Sequence, residues 1–144
     1  MINLKSLLCE GRLNSISQVT DEVKREMAAA AQLVYDEWEQ DEKGEDAHYG
    51  VGGICDDIAQ LMASVLSKHG IYDVQTQYNE PHTYVIGKFR EGIFTIDIPY
   101  SVYERGNLYT WKKIKAVRFD PLHIEIYRLD PSSRNWKKYT GDYD

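Results

Sequence analysis

Two hydrophobic periods divide the chain. Val23, Met27, Ala30, Ala31, Val34 and Trp38 recur at helical spacing, while Lys24, Arg25, Gln32, Asp36 and Glu39 fall on the opposite face. This predicts an amphipathic helix from 21 to about 40 with one stripe turned to a core. Thr20 precedes it as an N-cap, and Asp21 and Glu22 suit the positive end of the helix dipole. A second helix is predicted from about 55 to 68, with Ile58, Leu61, Met62, Val65 and Leu66 inward. Lys68-His69-Gly70 ends it, a cation near the last carbonyls and a glycine just beyond. The period then shortens. Tyr72 to Tyr78 alternates loosely, Thr83 to Phe89 is rich in strand formers, Arg90-Glu91-Gly92 reads as a hairpin turn, and Ile93 to Ile98 returns until Pro99. A further hairpin is predicted from Leu108 to Phe119 and His123 to Leu129, and Asp130-Pro131-Ser132-Ser133 opens a polar tail. Residues 4–9 suggest a short helix followed by a loop, and 41–53, charged and then glycine-rich, a second loop. The expected fold class is α+β, with N-terminal helices packed on an antiparallel sheet in a single domain spanning 1–144.

Composition narrows the function classes. With 144 residues, 42% of them apolar, the chain can bury a core and is not of the disordered class. A formal net charge of −6 argues against nucleic acid as partner. No run reaches transmembrane length, and Met1-Ile2-Asn3-Leu4-Lys5 lacks the apolar stretch of a signal peptide. A cytoplasmic protein is expected, although a chain exported without a classical signal reads the same. Of the two cysteines, Cys9, beside Leu7 and Leu8, reads as a small buried hydrophobe, and a bridge to Cys55 is disfavoured in a reducing compartment.

Cys55 has the setting of a reactive residue. Gly52-Gly53-Ile54-Cys55-Asp56-Asp57-Ile58-Ala59 is a glycine turn running into a helix. A cysteine at a helix N-terminus meets unpaired N–H groups and the positive dipole end, which favour the reactive thiolate. His82 and Asp97 follow on two strands predicted to pair. If the turn sets 89 against 93, His82 falls opposite roughly 98–100 and Asp97 within a residue or two, so modest bulging makes the two side chains neighbours. Cys55 is then the nucleophile, His82 the base and later the acid, Asp97 the group that orients the imidazole, and the Cys55 N–H one oxyanion donor. Each residue also has a plainer role. Cys55 suits a structural thiol, His82 an exposed strand start, Asp97 a solvent-facing strand position, and Asp56 and Asp57 ordinary first-turn acids. A metal site of Cys55, His82, Asp97 and one of those acids lacks any short-spaced ligand pair. His48, His69 and His123 read as surface residues, and the eleven tyrosines as groove lining or sheet packing.

The stretch from Gly52 to Tyr103 resembles the core of transglutaminase-like proteins, within the papain-like cysteine-enzyme superfamily. The resemblance rests on Gly53, Cys55 opening a helix, Ala59 one turn on, His82 on a strand, Asp97 on the next, and the trailing Pro99. Two features depart from that pattern: the Cys55–His82 interval is short, and the aromatic two residues after the histidine is Tyr84, not tryptophan. Arylamine N-acetyltransferases share the Gly-Gly-x-Cys opening and the catalytic order, but are much longer chains. The resemblance implies thiol acyl transfer on an amide (proteolysis, deamidation or transamidation), a protein or peptide substrate, and no cofactor or metal. For the second oxyanion donor it offers only Gln40 and Tyr49 as candidates. The competing expectation is a non-catalytic binding or effector module of the same fold. Its acidic run Glu37, Glu39, Asp41, Glu42, Glu45 and Asp46 would suit a basic partner.

Overall fold

A computed structural model describes residues 13–42, 54–79, 82–99, 102 and 118–141. Helix α1 spans Asp21–Glu42 and helix α2 spans Cys55–Lys68. Five strands follow: β1 (Val74–Asn79), β2 (His82–Phe89), β3 (Gly92–Asp97), β4 (Glu125–Leu129) and β5 (Trp136–Lys138). They form one antiparallel sheet whose spatial order is the chain order. Two helices and an open antiparallel sheet make an α+β protein. The expected helix at 4–9, Cys9, His48 and Tyr49 lie outside the described residues, as do 108–117 of the second predicted hairpin.

The helix ends follow their local chemistry. Thr20 Oγ1 accepts the Val23 N–H at 3.3 Å and caps α1. At the end of α2 the Ile71 N–H reaches Leu66 O and the Gly70 N–H reaches Ser67 O, both at 2.9 Å. These two bonds, with Gly70 at φ +83°, are a Schellman closure. The carboxylate of Glu26 on α1 meets His69 Nε2 at 2.6 Å and ties the two helices together at this end.

One face of the sheet carries the core. Val85, Phe94, Ile96, Ile98 and Ile126 point to the helices and meet Val23, Met27, Ala31 and Tyr35 of α1 and Ile58, Met62 and Leu66 of α2. Tyr35, absent from the stripe read in the sequence, is wholly buried. Its ring packs on Phe119 at 5.6 Å, and the Phe119 N–H donates to Gln32 Oε1, so α1 also holds the segment before β4. Leu61 was expected inward but is 38% exposed. The inner position goes to Ala59, whose small side chain permits close approach, and Leu61 lines a hollow with Val34, Trp38 and Ile54.

Three corrections concern the strands. The hairpin turn sets Phe89 against Gly92, one residue from the pairing read in the sequence, with Gly92 at φ +137°. The strand β4 pairs with β3 and β5, and Phe119 and His123 are not in strands. Asp120 instead caps a 3-10 turn at Pro121–His123, its side chain accepting the Leu122 N–H at 2.8 Å with Pro121 at the first position. Finally, Asp130-Pro131-Ser132-Ser133 is a turn into β5. The Asp130 carboxylate accepts from Ser133 Oγ and pairs with Lys137, and these contacts, with the Ser132 N–H, hold its pKa down to about 2.

The β1–β2 pairing depends on Gly87. A Cβ there would lie 2.7 Å from Val74 Cγ1, 2.9 Å from Phe89 Cε1 and 3.1 Å from Asp73 O. Gly87→Ala should therefore lower stability by about 1–3 kcal/mol, read as an earlier urea midpoint with unchanged slope. An unchanged midpoint would mean that β1 yields freely.

Candidate functional site

The site is built at one end of the sheet. Strand alternation on β2 sends Thr83, Val85 and Phe89 to the core and His82, Tyr84 and Ile86 to the face away from the helices. On β3 the core takes Phe94 and Ile96, leaving Thr95 and Asp97 on that second face. The observed register, continued by one pair beyond Val85↔Ile96, sets Asp97 across from Tyr84 and diagonal to His82. Both side chains thus share a face without a bulge. Had Phe89 paired with Ile93, the one-residue slip would have put them on opposite faces.

His82 Nε2 and Asp97 Oδ2 are 2.8 Å apart. With Asp97 ionised the carboxylate can only accept, so Nε2 donates the proton of this bond, and Nδ1 is a buried atom. The side chains of His82 and Asp97 are only 18% and 21% exposed. Burial pushes the Asp97 carboxyl above its ordinary range, while the hydrogen bond and charge of His82 pull it back. Glu125, directly opposite Asp97 in the β3–β4 ladder, adds to the rise by repulsion. The ring of Tyr84 stands 6.4 Å from the imidazole and flanks the pair.

Cys55 is the first residue of α2, after Ile54, whose side chain has no atom with which to cap the helix. The thiol belongs to the core and is 3% exposed. Asp56, next in the chain, accepts a hydrogen bond from the hydroxyl of Thr83, the residue after His82. That bond binds the first turn of α2 to the start of β2, and Thr83 is itself buried. His82 and Asp97 are hydrogen-bonded to each other, and Cys55 is the chain neighbour of Asp56, which bridges helix and strand. Asp97 faces away from the core, as its alternation allowed, yet it is largely buried and paired.

Sequence reasoning missed Asp56 as the tether and Glu125 as the neighbour of Asp97. Alternation within Ile124-Glu125-Ile126-Tyr127 does place Glu125 and Tyr127 on one face, but nothing in the sequence says which strand they adjoin. His69 and His123 lie elsewhere, paired with Glu26 and Asp120. Gln40 lies within α1. Among the described residues no three His, Cys, Asp or Glu side chains gather as a metal site, and no helix is long and apolar enough to cross a membrane. No protein family, curated protein or solved structure matches the chain.

The raised Asp97 pKa has a definite sign. The folded state holds this proton to higher pH than the unfolded chain, so the contribution of Asp97 to stability is complete below the ordinary carboxyl value and is lost as pH rises through the raised one. Asp97→Asn cannot ionise and keeps an oxygen for the Nε2–H. Its stability relative to the wild type should climb as pH rises through and above the ordinary carboxyl range, as measured by urea midpoints at a series of pH values. A flat or falling difference would show that burial does not dominate at this carboxyl.

Proposed function

We propose that Cys55, His82 and Asp97 form the apparatus of a cysteine-dependent acyl-transfer enzyme acting on an amide bond, in a core of papain-like or transglutaminase-like type. The observation that carries this reading is the 2.8 Å bond between His82 Nε2 and Asp97 Oδ2 in a largely buried setting. A structural histidine does not need a carboxylate kept out of water, whereas a catalytic base needs a fixed tautomer. The tether from Asp56 to Thr83, beside Cys55 and His82, supports it further.

The chemistry then follows. The thiol proton passes to His82 Nδ1 at the start of β2, and the thiolate sulfur attacks the amide carbon. The carbonyl oxygen takes the charge and is met by the Cys55 N–H at the helix start. The imidazolium returns its proton to the leaving nitrogen as the C–N bond breaks, leaving a thioester on Cys55. Water or an amine attacks this thioester with His82 again as base. Hydrolysis yields an acid, and an amine yields a new amide. Asp97 holds the ring throughout and offsets its positive charge.

A second reading has its own observation. At 3% exposure, packed with Ile54, Ile58 and Ala59, Cys55 also fits a structural thiol in a non-catalytic binding module. Alkylation by iodoacetamide separates the two. The catalytic reading expects Cys55 to label in the native protein at neutral pH, faster than a thiol of ordinary reactivity, and His82→Ala to slow labelling by about a hundredfold. Cys55→Ala should remove the label and keep the fold, and Cys9→Ala should change neither. Labelling of Cys55 only in denaturant, indifferent to His82→Ala, would leave the binding module.

A further inference from the structure

The sheet face turned away from the helices holds a cavity of about 320 Å³ lined by Asn79, Tyr84, Thr95, Asp97, Glu125, Tyr127 and Trp136. Three aromatic rings and two carboxylates around so small a space is an unusual lining for the outer face of a sheet. The register explains how it arises. Asp97 and Glu125 are direct partners across β3 and β4, and Thr95 and Tyr127 are the next such pair on that face. Trp136 comes from β5, paired with Leu129, and is 42% exposed.

Like charges set opposite each other across a ladder are unfavourable. Among the described residues no lysine or arginine comes within ion-pair distance of either carboxylate. Asp97 spends one oxygen on His82. Glu125 is held in place by the Tyr127 hydroxyl, which donates to its Oε1 at 3.1 Å, and Glu125 lines the cavity. The cavity therefore offers oriented negative charge next to flat aromatic surface. That combination suits one cation better than others. A guanidinium is planar, weakly hydrated, stacks on aromatic rings and presents paired N–H donors to a carboxylate, whereas an ammonium is compact and strongly hydrated.

We propose that this cavity is a binding site for the guanidinium of an arginine side chain carried by a peptide or protein partner, with Glu125 as its carboxylate and Trp136, Tyr84 and Tyr127 as its walls. The site does not depend on the chemistry of Cys55. Arginine brings a positive charge that no described lysine or arginine supplies to Glu125, and the −6 net charge of the chain favours its approach.

The test uses the whole chain and three probes: Nα-acetyl-arginine amide, the citrulline analogue of the same shape without charge, and Nα-acetyl-lysine amide. Binding is followed by the shift of the Trp136 indole N–H in NMR spectra, assigned through Trp136→Phe. The arginine probe should bind saturably, about tenfold more tightly than either of the others, and more weakly as salt is added. Glu125→Gln should weaken it by about tenfold and leave citrulline unchanged. Cys55→Ala should bind like the wild type, so this result stands apart from the catalytic reading. Equal binding of arginine and citrulline, or of arginine and lysine, or absence of binding by the wild type, would overturn the proposal. These comparisons need only the native chain, so a Glu125→Gln variant that failed to fold would not shelter it.

Discussion

The register between β2 and β3 is the constraint on which the other features rest. Because Phe89 pairs with Gly92, Val85, Phe94 and Ile96 fall on one face and form the floor of the core under both helices. The same pairing puts His82, Tyr84, Thr95 and Asp97 together on the other face. Core and candidate site are thus two readings of one alignment, and a slip of one residue would remove both. Local backbone preference secures it. Gly92 adopts φ +137° just after Arg90 and Glu91, a conformation with no penalty only for glycine. Glu91 then reaches back to the N-terminal segment, accepting from Ser15 Oγ at 2.6 Å and the Ile16 N–H at 2.9 Å, so the turn is held from outside as well.

Around that alignment the electrostatics are deliberately unequal. Glu91 is partly buried, yet its hydrogen bonds outweigh burial and keep its pKa low. Asp97 is also hydrogen-bonded, yet burial wins and its pKa rises. The first carboxylate serves the fold and gains from being charged. The second is maintained against its own desolvation, with a histidine as partner and Glu125 as an unfavourable neighbour. Such a group is where a purely structural account of the sheet becomes weakest.

Much of the fold was legible in the sequence because its signals are local. The stripe from Val23 to Trp38, the cap at Thr20 and the stop at Lys68-His69-Gly70 each depend on residues within a turn or two, and each element appears where they place it. The hairpin was legible as an element, but its register was not, since Arg90-Glu91-Gly92 read as a sequence permits either of two pairings. The burial of Tyr35 depends on Phe119, far away in the chain, and the exposure of Leu61 on how closely Ala59 lets α2 approach the core. For the site, Cys55, His82 and Asp97 stood out by their neighbours. The nearness of His82 and Asp97 along the hairpin was legible, but the 89/93 pairing read for it sets the two on opposite faces without a bulge, and the observed 89/92 pairing is what brings them together. Asp56–Thr83 and Asp97–Glu125 join segments whose proximity no local pattern announces.

The order of the strands in the sheet has a kinetic corollary. Every strand lies beside its neighbour in sequence, so β1, β2 and β3 can zip together by closing short loops, at little entropic cost and without waiting for distant segments. The His82–Asp97 pair is internal to this meander. Cys55 is not: it arrives only when α2 docks and Asp56 finds Thr83. The two halves of the candidate site therefore come from different units of the fold, the meander supplying His82 and Asp97 and the docked helix supplying Cys55.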